Sequence, residues 1–292
     1  MKKGILWAVL AALLYAVGTP FSKLLLSYMP PMLMAGFLYL GAGAGMVLLG
    51  LFRRIRGEKG RETGLTRAEL PYTIAMIVLD IAAPILLMLG LRATTAANAS
   101  LLNNFEIVAT AVIALAVFRE RISPRLWGGI ACITLACAVL SFEDGSSLRF
   151  SAGSVPVLLA ALCWGLENNC TRRISSKDPL QIVLLKGVFS GIGSLLIGVF
   201  SGERLTALWS VPAVMAVGLV AYGLSIFCYV YAQRRLGAAR TSAYYAVAPF
   251  AAAGLSLLVF RELPGPAFLA ALLLMAVGAW LAAGDAWPRR AK

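Results

Sequence analysis

Apolar residues run through this chain in long blocks with no sustained polar side, and ten blocks approach the roughly 20 residues that cross about 30 Å of hydrocarbon. They cover residues 4–28, 31–52, 70–91, 96–118 and 124–142, then 153–171, 180–201, 210–233, 240–260 and 265–284. Uniform apolarity over such lengths predicts helices. A bilayer leaves no partner for open backbone groups, and a transmembrane barrel would show alternation instead. The links between blocks are short, so no separate soluble domain is expected. The expected fold class is an all-α integral membrane protein with ten transmembrane helices.

Composition and charge sharpen this reading. Hydrophobic residues make up 60% of the 292 positions and charged residues 13%, a balance that no water-soluble core of this length could hide from solvent. The formal net charge of +13 raises the question of a nucleic-acid partner. The basic residues are scattered at helix ends, however, not gathered on one soluble face, which argues against it. With a cytoplasmic amino terminus, twenty of them face inward, including Lys2, Lys3, the run from Arg53 to Arg67, Arg119, Arg121, Arg125, Arg172, Arg173, Lys177, Arg234, Arg235 and Arg240. Only Lys23, Arg92, Arg149, Arg204 and Arg261 face outward, and Lys186 lies inside a span. That asymmetry predicts an even number of crossings with both termini in the cytoplasm of a bacterial-type inner membrane. The apolar run after Lys2 and Lys3 is long and continues into a polytopic pattern, so it reads as a first span and not a cleaved leader. Cys132, Cys137, Cys163, Cys170 and Cys228 all fall in spans without CxxC spacing, and the chain has no histidine. Neither a metal site nor a cofactor is implied.

The chain also matches itself. Phe118-Arg119-Glu120 recurs as Phe260-Arg261-Glu262 at an offset of 142 residues, which also sets Arg92 opposite Arg234 and Ser100 opposite Ser242. Nearer the start, Ala12-Leu13-Leu14-Tyr15-Ala16 aligns with Ala161-Leu162-Cys163-Trp164-Gly165 at an offset of 149, with Pro30 opposite Pro179. Two units follow, residues 1–145 and 150–287. A unit with five spans enters the membrane from opposite sides in its two copies, so the halves should form inverted repeats with a substrate site between them.

These residues resemble the EamA-type repeat of the drug/metabolite transporter superfamily over essentially the whole chain. The likeness is carried by Gly90-Leu91-Arg92, Ser100-Leu101-Leu102-Asn103-Asn104-Phe105-Glu106, the stretch from Arg234 to Tyr244, and the acidic helix ends Glu120 and Glu262. It implies two inverted five-helix repeats, a central cavity and alternating access. It names no substrate, because the superfamily spans amino acids, amines, nucleotide sugars and drugs.

Ionisable residues inside a span cost roughly 2.5–3.5 kcal/mol on insertion scales and usually face protein or a wet cavity. Asp80 and Glu106 lie near the middle of their spans, about 13–15 Å from the helix ends at 1.5 Å per residue. If the two approach within several Å they compete for a proton, which suits proton-coupled exchange. Asn103 and Thr110 share a helical face with Glu106, and Asn104 is adjacent, so this stripe serves either a site or helix-to-helix glue. Trp164, Glu167 and Thr171 share another face beside Asn168 and Asn169. Glu167 and Lys186 are placed to form an ion pair, or Lys186 receives a substrate carboxylate while an acidic group takes its ammonium. Tyr222, Ser225, Tyr229 and Gln233 recur along one face, Tyr244 and Tyr245 add aromatic surface, and Tyr15 and Tyr28 read as interfacial anchors. Pro20, Pro84 and Pro249 predict kinks. Gly41, Gly43, Gly45, Gly187 and Gly191 predict close helix contact.

The expected function is secondary transport, as exporter or exchanger, of a small polar metabolite such as an amino acid or amine, with protons as a candidate coupling partner and the lipid bilayer as solvent. The candidate binding or coupling residues are Asp80, Asn103, Asn104, Glu106, Trp164, Glu167, Asn168, Lys186, Tyr222, Tyr229 and Tyr245. Ten helices suffice for a monomer. The chain lacks a GxxxxGK[ST] loop, GxSxG and HExxH, and Asp80 is the lone intramembrane aspartate, so a pump and an intramembrane enzyme are disfavoured. A receptor or scaffold without flux is the remaining alternative.

Overall fold

The computed structural model describes residues 2–56, 63–118, 123–144, 147–236, 244–261 and 263–285. The first rod is α1 (Lys2–Ala16) followed by α2 (Gly18–Leu25). The break at Val17 lies where Pro20 has no N–H to offer the carbonyl four residues earlier. Then come α3 (Pro31–Ile55) and α4 (Leu70–Ala93), the latter entered through a 3₁₀ turn at Arg67–Glu69 with a Thr66/Glu69 capping box. Next are α5 (Ala96–Leu102), α6 (Phe105–Phe118) and α7 (Pro124–Ser141). After a two-stranded antiparallel ladder, β1 (Phe142–Asp144) with β2 (Ser147–Phe150), the chain enters α8 (Ser154–Ile174).

Two later rods carry π turns at mid-length. One comprises α9 (Pro179–Leu185), a π turn at Lys186–Ser190 and α10 (Gly191–Phe200). The other comprises α11 (Ser210–Gly218), a π turn at Leu219–Leu224 and α12 (Ser225–Leu236). The last helices are α13 (Ala248–Phe260) and α14 (Pro266–Asp285). Six of these segments, Lys3–Leu25, Pro31–Ile55, Arg67–Ala93, Pro124–Ser141, Pro179–Phe200 and Ser210–Ala232, are long and apolar enough to cross a membrane. Ala248–Phe260 and Pro266–Leu281 are shorter apolar helices.

Several expectations change here. The expected single helix over 96–118 is broken at Asn103–Asn104, where short-range turns replace the helical ladder. Asn103 and Thr110 therefore do not share one continuous helical face with Glu106. Pro249 starts α13 and does not kink a longer helix, which its missing N–H allows at a first turn. The β ladder is a small exception to an all-helical chain. Residues 119–122 and 262 lie outside the described ones, so Glu120 and Glu262 are not placed, nor are Arg240 and its neighbours at 237–243.

Helix α3 lies at the centre, against α10, α11 and both π turns; α4 packs on α8, α7 on α14, and α1 on α12. Glycines make α3 the close-packed axis. Gly43 meets Gly187, Gly41 meets the Met215 carbonyl, and Gly218 meets the Leu38 carbonyl. The start of α3 has no side-chain cap of its own, and the Glu203 carboxylate supplies one by accepting from Met32 N at 3.0 Å and Leu33 N at 2.9 Å. A carboxylate on free N–H groups at a helix start is worth about 1 kcal/mol. Glu203→Ala is accordingly expected to lower stability by about that amount, read as a fall in unfolding midpoint in detergent. At the same end, the Lys23 ammonium donates to the carbonyls of Leu91 at 2.5 Å and Thr94 at 2.8 Å, closing the end of α4.

Candidate functional site

The broken and bulged helices surround an interior cavity of about 100 Å³. Its floor of charge comes from four elements: Asp80 on α4, Glu106 on α6, Glu167 on α8 and Lys186 at the start of the first π turn. A π turn inserts an extra residue into the helical ladder and re-aims the side chains around it. The second π turn carries Tyr222, and α12 adds Ile226, Tyr229 and Val230. Tyr15 of α1, Tyr39 of α3, Trp164, Asn168 and Thr171 of α8, and Tyr245 complete the lining.

Lys186 organises the charged side of the cavity. It is 4% exposed, and its Nζ donates to Glu167 Oε1 at 2.5 Å while lying 3.2 Å from Asp80 Oδ2. That second approach is off the hydrogen-bond line, so Asp80 Oδ2 accepts no hydrogen bond among the described residues. Asp80 Oδ1 accepts from the Tyr39 hydroxyl at 3.0 Å, and Trp164 hydrogen-bonds the same tyrosine. Thr171 donates its hydroxyl to the Glu167 oxygen that also holds Lys186. Burying three charges this deeply is tolerable only because each finds a partner.

Glu106 stands apart from this triad. Its Oε1 accepts from the Asn168 amide at 2.5 Å, and Asn168 also approaches the Thr110 hydroxyl at 3.5 Å. No basic side chain among the described residues forms an ion pair with it. Tyrosine rings border it: Tyr15 to Tyr245 is 5.8 Å between centroids, Tyr229 to Tyr245 is 4.8 Å, and Tyr15 to Tyr222 is 6.1 Å. Tyr222 in turn meets Tyr39 at 5.2 Å, linking the aromatic side to the triad.

Of the sequence candidates, Asp80, Glu106, Trp164, Glu167, Asn168, Lys186, Tyr222, Tyr229 and Tyr245 all line this cavity. Asn103 and Asn104 do not. They are buried in the turn between α5 and α6, where Asn104 donates to the Leu101 carbonyl at 3.3 Å and neither Oδ1 has a hydrogen-bond partner among the described residues. Asp80 is not paired with Glu106 as the matched depths suggested, because Lys186 claims it. Lys186 forms the expected pair with Glu167 and is at the same time held by Asp80. Ser225 turns its hydroxyl to the Ala11 carbonyl at 2.9 Å, and Asn169 ties α8 to α6 by donating to the carbonyls of Gly165 and Thr110.

Sequence reasoning missed two lining residues. Tyr15 was expected at the interface, yet it lines the cavity; the repeat alignment, which sets it opposite Trp164, held the signal. Tyr39 sits mid-run in an apolar helix with no polar neighbour to mark it, and only the fold brings Asp80 to its hydroxyl. Tyr28 does lie outside the cavity, 47% exposed against Trp209 with ring centroids 4.8 Å apart.

A bundle of apolar helices around a buried, charged and aromatic cavity is the layout of a membrane transporter. The pattern of the EamA-like transporter family matches residues 2–142 and 151–284, and the chain belongs to that family. It is 25% identical over 278 residues to an uncharacterized transporter of Methanothermobacter thermautotrophicus, covering 89% of this chain and 80% of the relative. It is 26% identical over 233 residues to the uncharacterized inner membrane transporter YedA of Escherichia coli K12, covering 76% and 72%. A solved crystal structure shares the fold with a TM-score of 0.69 at 18% identity, covering 96% of this chain and 95% of the other.

Proposed function

We propose that this protein is a secondary transporter that moves a small amine-bearing metabolite, an amine or an amino acid, across a bacterial-type inner membrane by alternating access. One observation carries the reading: charged side chains from α4, α6, α8 and the first π turn converge with tyrosines from α1, α3 and the second π turn on one small interior cavity. Neither a lipid-facing surface nor helix packing requires that convergence. The E. coli relative, named an inner membrane transporter, supports the location.

In this reading residues 1–145 and 150–287 are two inverted repeats of five transmembrane helices, in line with the double family match. Both termini lie in the cytoplasm. Lys23 caps the end of α4 close to Arg92, while Lys177 pairs with Glu69 at 3.4 Å near Arg67, so residues assigned to the same side by charge do meet. The cavity lies between the repeats, and rocking of one against the other exposes it alternately. Glu106 is the group for protons to occupy when substrate leaves, and export by proton exchange follows naturally. A single chain contains the whole site and works as a monomer.

Counterflow uptake by purified protein in liposomes, with a panel of labelled amino acids and amines, tests this. Saturable flux in wild type and its loss by at least tenfold in Glu106→Gln is the expected result. Silence of a folded wild-type protein across the panel would favour a receptor or scaffold.

A further inference from the structure

We propose, resting on the transport reading above, that the cavity takes a small organic cation without a carboxylate and rejects the zwitterion of the same skeleton. Its ammonium goes beside Glu106 against the rings of Tyr15, Tyr229 and Tyr245.

The arrangement of charge decides between these two kinds of amine. A zwitterion needs a cation for its carboxylate, and the cavity's single basic side chain among the described residues is Lys186. That ammonium is already 2.5 Å from Glu167 and 3.2 Å from Asp80. An incoming carboxylate would have to displace one of them and strand a buried charge, while standing near Asp80, Glu106 and Glu167. The triad is therefore an internal closed circuit, and Lys186 is a positioning residue that holds two carboxylates. Glu106 faces the reverse situation. Its visible partner is a neutral amide, and an ammonium is the missing complement.

The rings give that ammonium its second contact. A cation within about 6 Å of a tyrosine face is attracted by the ring quadrupole, and more strongly where water is excluded. Tyr15 and Tyr245 lie close enough to Glu106 to feel its charge, and Tyr229 packs edge-on to Tyr245 at 4.8 Å. Size sets the upper bound. At about 100 Å³ the cavity is well below the roughly 300–1,000 Å³ of pockets that bury drug-sized ligands, so bulky lipophilic cations do not fit.

Binding to detergent-purified full-length protein tests this with two matched pairs, isobutylamine against valine and choline against glycine betaine. The expected result is that a cation of at least one pair binds at least tenfold more tightly than its zwitterion. Glu106→Gln should cost that cation at least tenfold, Tyr245→Leu should weaken it severalfold, and Tyr245→Phe, which keeps the ring, should stay near wild type. Thermal unfolding of each variant separates a lost ligand from a lost fold. Equal or tighter binding of both zwitterions, binding indifferent to Glu106→Gln in a folded variant, or no binding of either pair overturns the proposal. Counterflow with the same pairs keeps the two readings apart. Zwitterion flux sinks the cation preference and leaves transport standing, whereas saturable cation binding without any flux does the opposite.

Discussion

Lys186→Met is expected to abolish flux and to lower the protein's stability by roughly 3–5 kcal/mol, because it strands Asp80 and Glu167 as buried carboxylates without a counter-ion. The size of the loss comes from what is left behind more than from what is removed. Buried ion pairs contribute little net stability against apolar replacements, yet deleting one member leaves a full charge unpaired. The triple change Asp80→Asn, Glu167→Gln and Lys186→Met removes all three charges together. It should recover most of the lost stability. If the single variant unfolds at the wild-type midpoint, the three groups are not coupled as their geometry indicates. Flux in the triple variant reports on mechanism separately. Its continued absence would show that the charges serve transport, and its recovery would assign the triad to folding.

Gly218→Ala is expected to destabilise the bundle as severely, for a purely steric reason. A Cβ at Gly218 would lie 1.9 Å from the Leu38 carbonyl oxygen, which is backbone of the central helix α3 and has no room to yield. Overpacking of this kind usually costs 1–3 kcal/mol and more where backbone must move. Gly254→Ala is the matched control, since a Cβ there meets nothing within 4 Å and alanine improves helix propensity by up to about 1 kcal/mol. The two single-methyl changes should shift the unfolding midpoint in opposite directions. Similar shifts would mean that α3 and α11 do not approach as closely as the glycine contacts require.

The residues of α3 show how much of the fold was legible beforehand. Gly41, Gly43 and Gly45 marked a face for close contact from spacing alone, and they meet Met215, Gly187, Val188 and Leu219. The partner helices could not be named from the sequence, because small residues permit approach from any neighbour. The π turns were also invisible, since Lys186–Ser190 and Leu219–Leu224 carry no composition that distinguishes them from ordinary helix. Both sit where a glycine lets α3 come close, at Gly187 and beside Gly218.

The candidate site divides along the same line. An ionisable group in a long apolar run is expensive in lipid wherever the run ends up, so Asp80, Glu106, Glu167 and Lys186 announced themselves without any structure. Pairing is different, because it depends on which helices become neighbours. Matched depth suggested Asp80 with Glu106, and the fold instead packs α4 on α8 and brings Lys186 between Asp80 and Glu167. Tyr39 makes the point most clearly: nothing around it in sequence is polar, and its role as a donor to Asp80 exists only in three dimensions. The sequence by itself determined the membrane-embedded helical class, through the cost of leaving apolar blocks in water, and the short set of charges that had to be sheltered. Tertiary structure alone decided that three of those charges close on one another while Glu106 faces the cavity among tyrosines, because long-range contact is set by helix packing and not by periodicity along the chain.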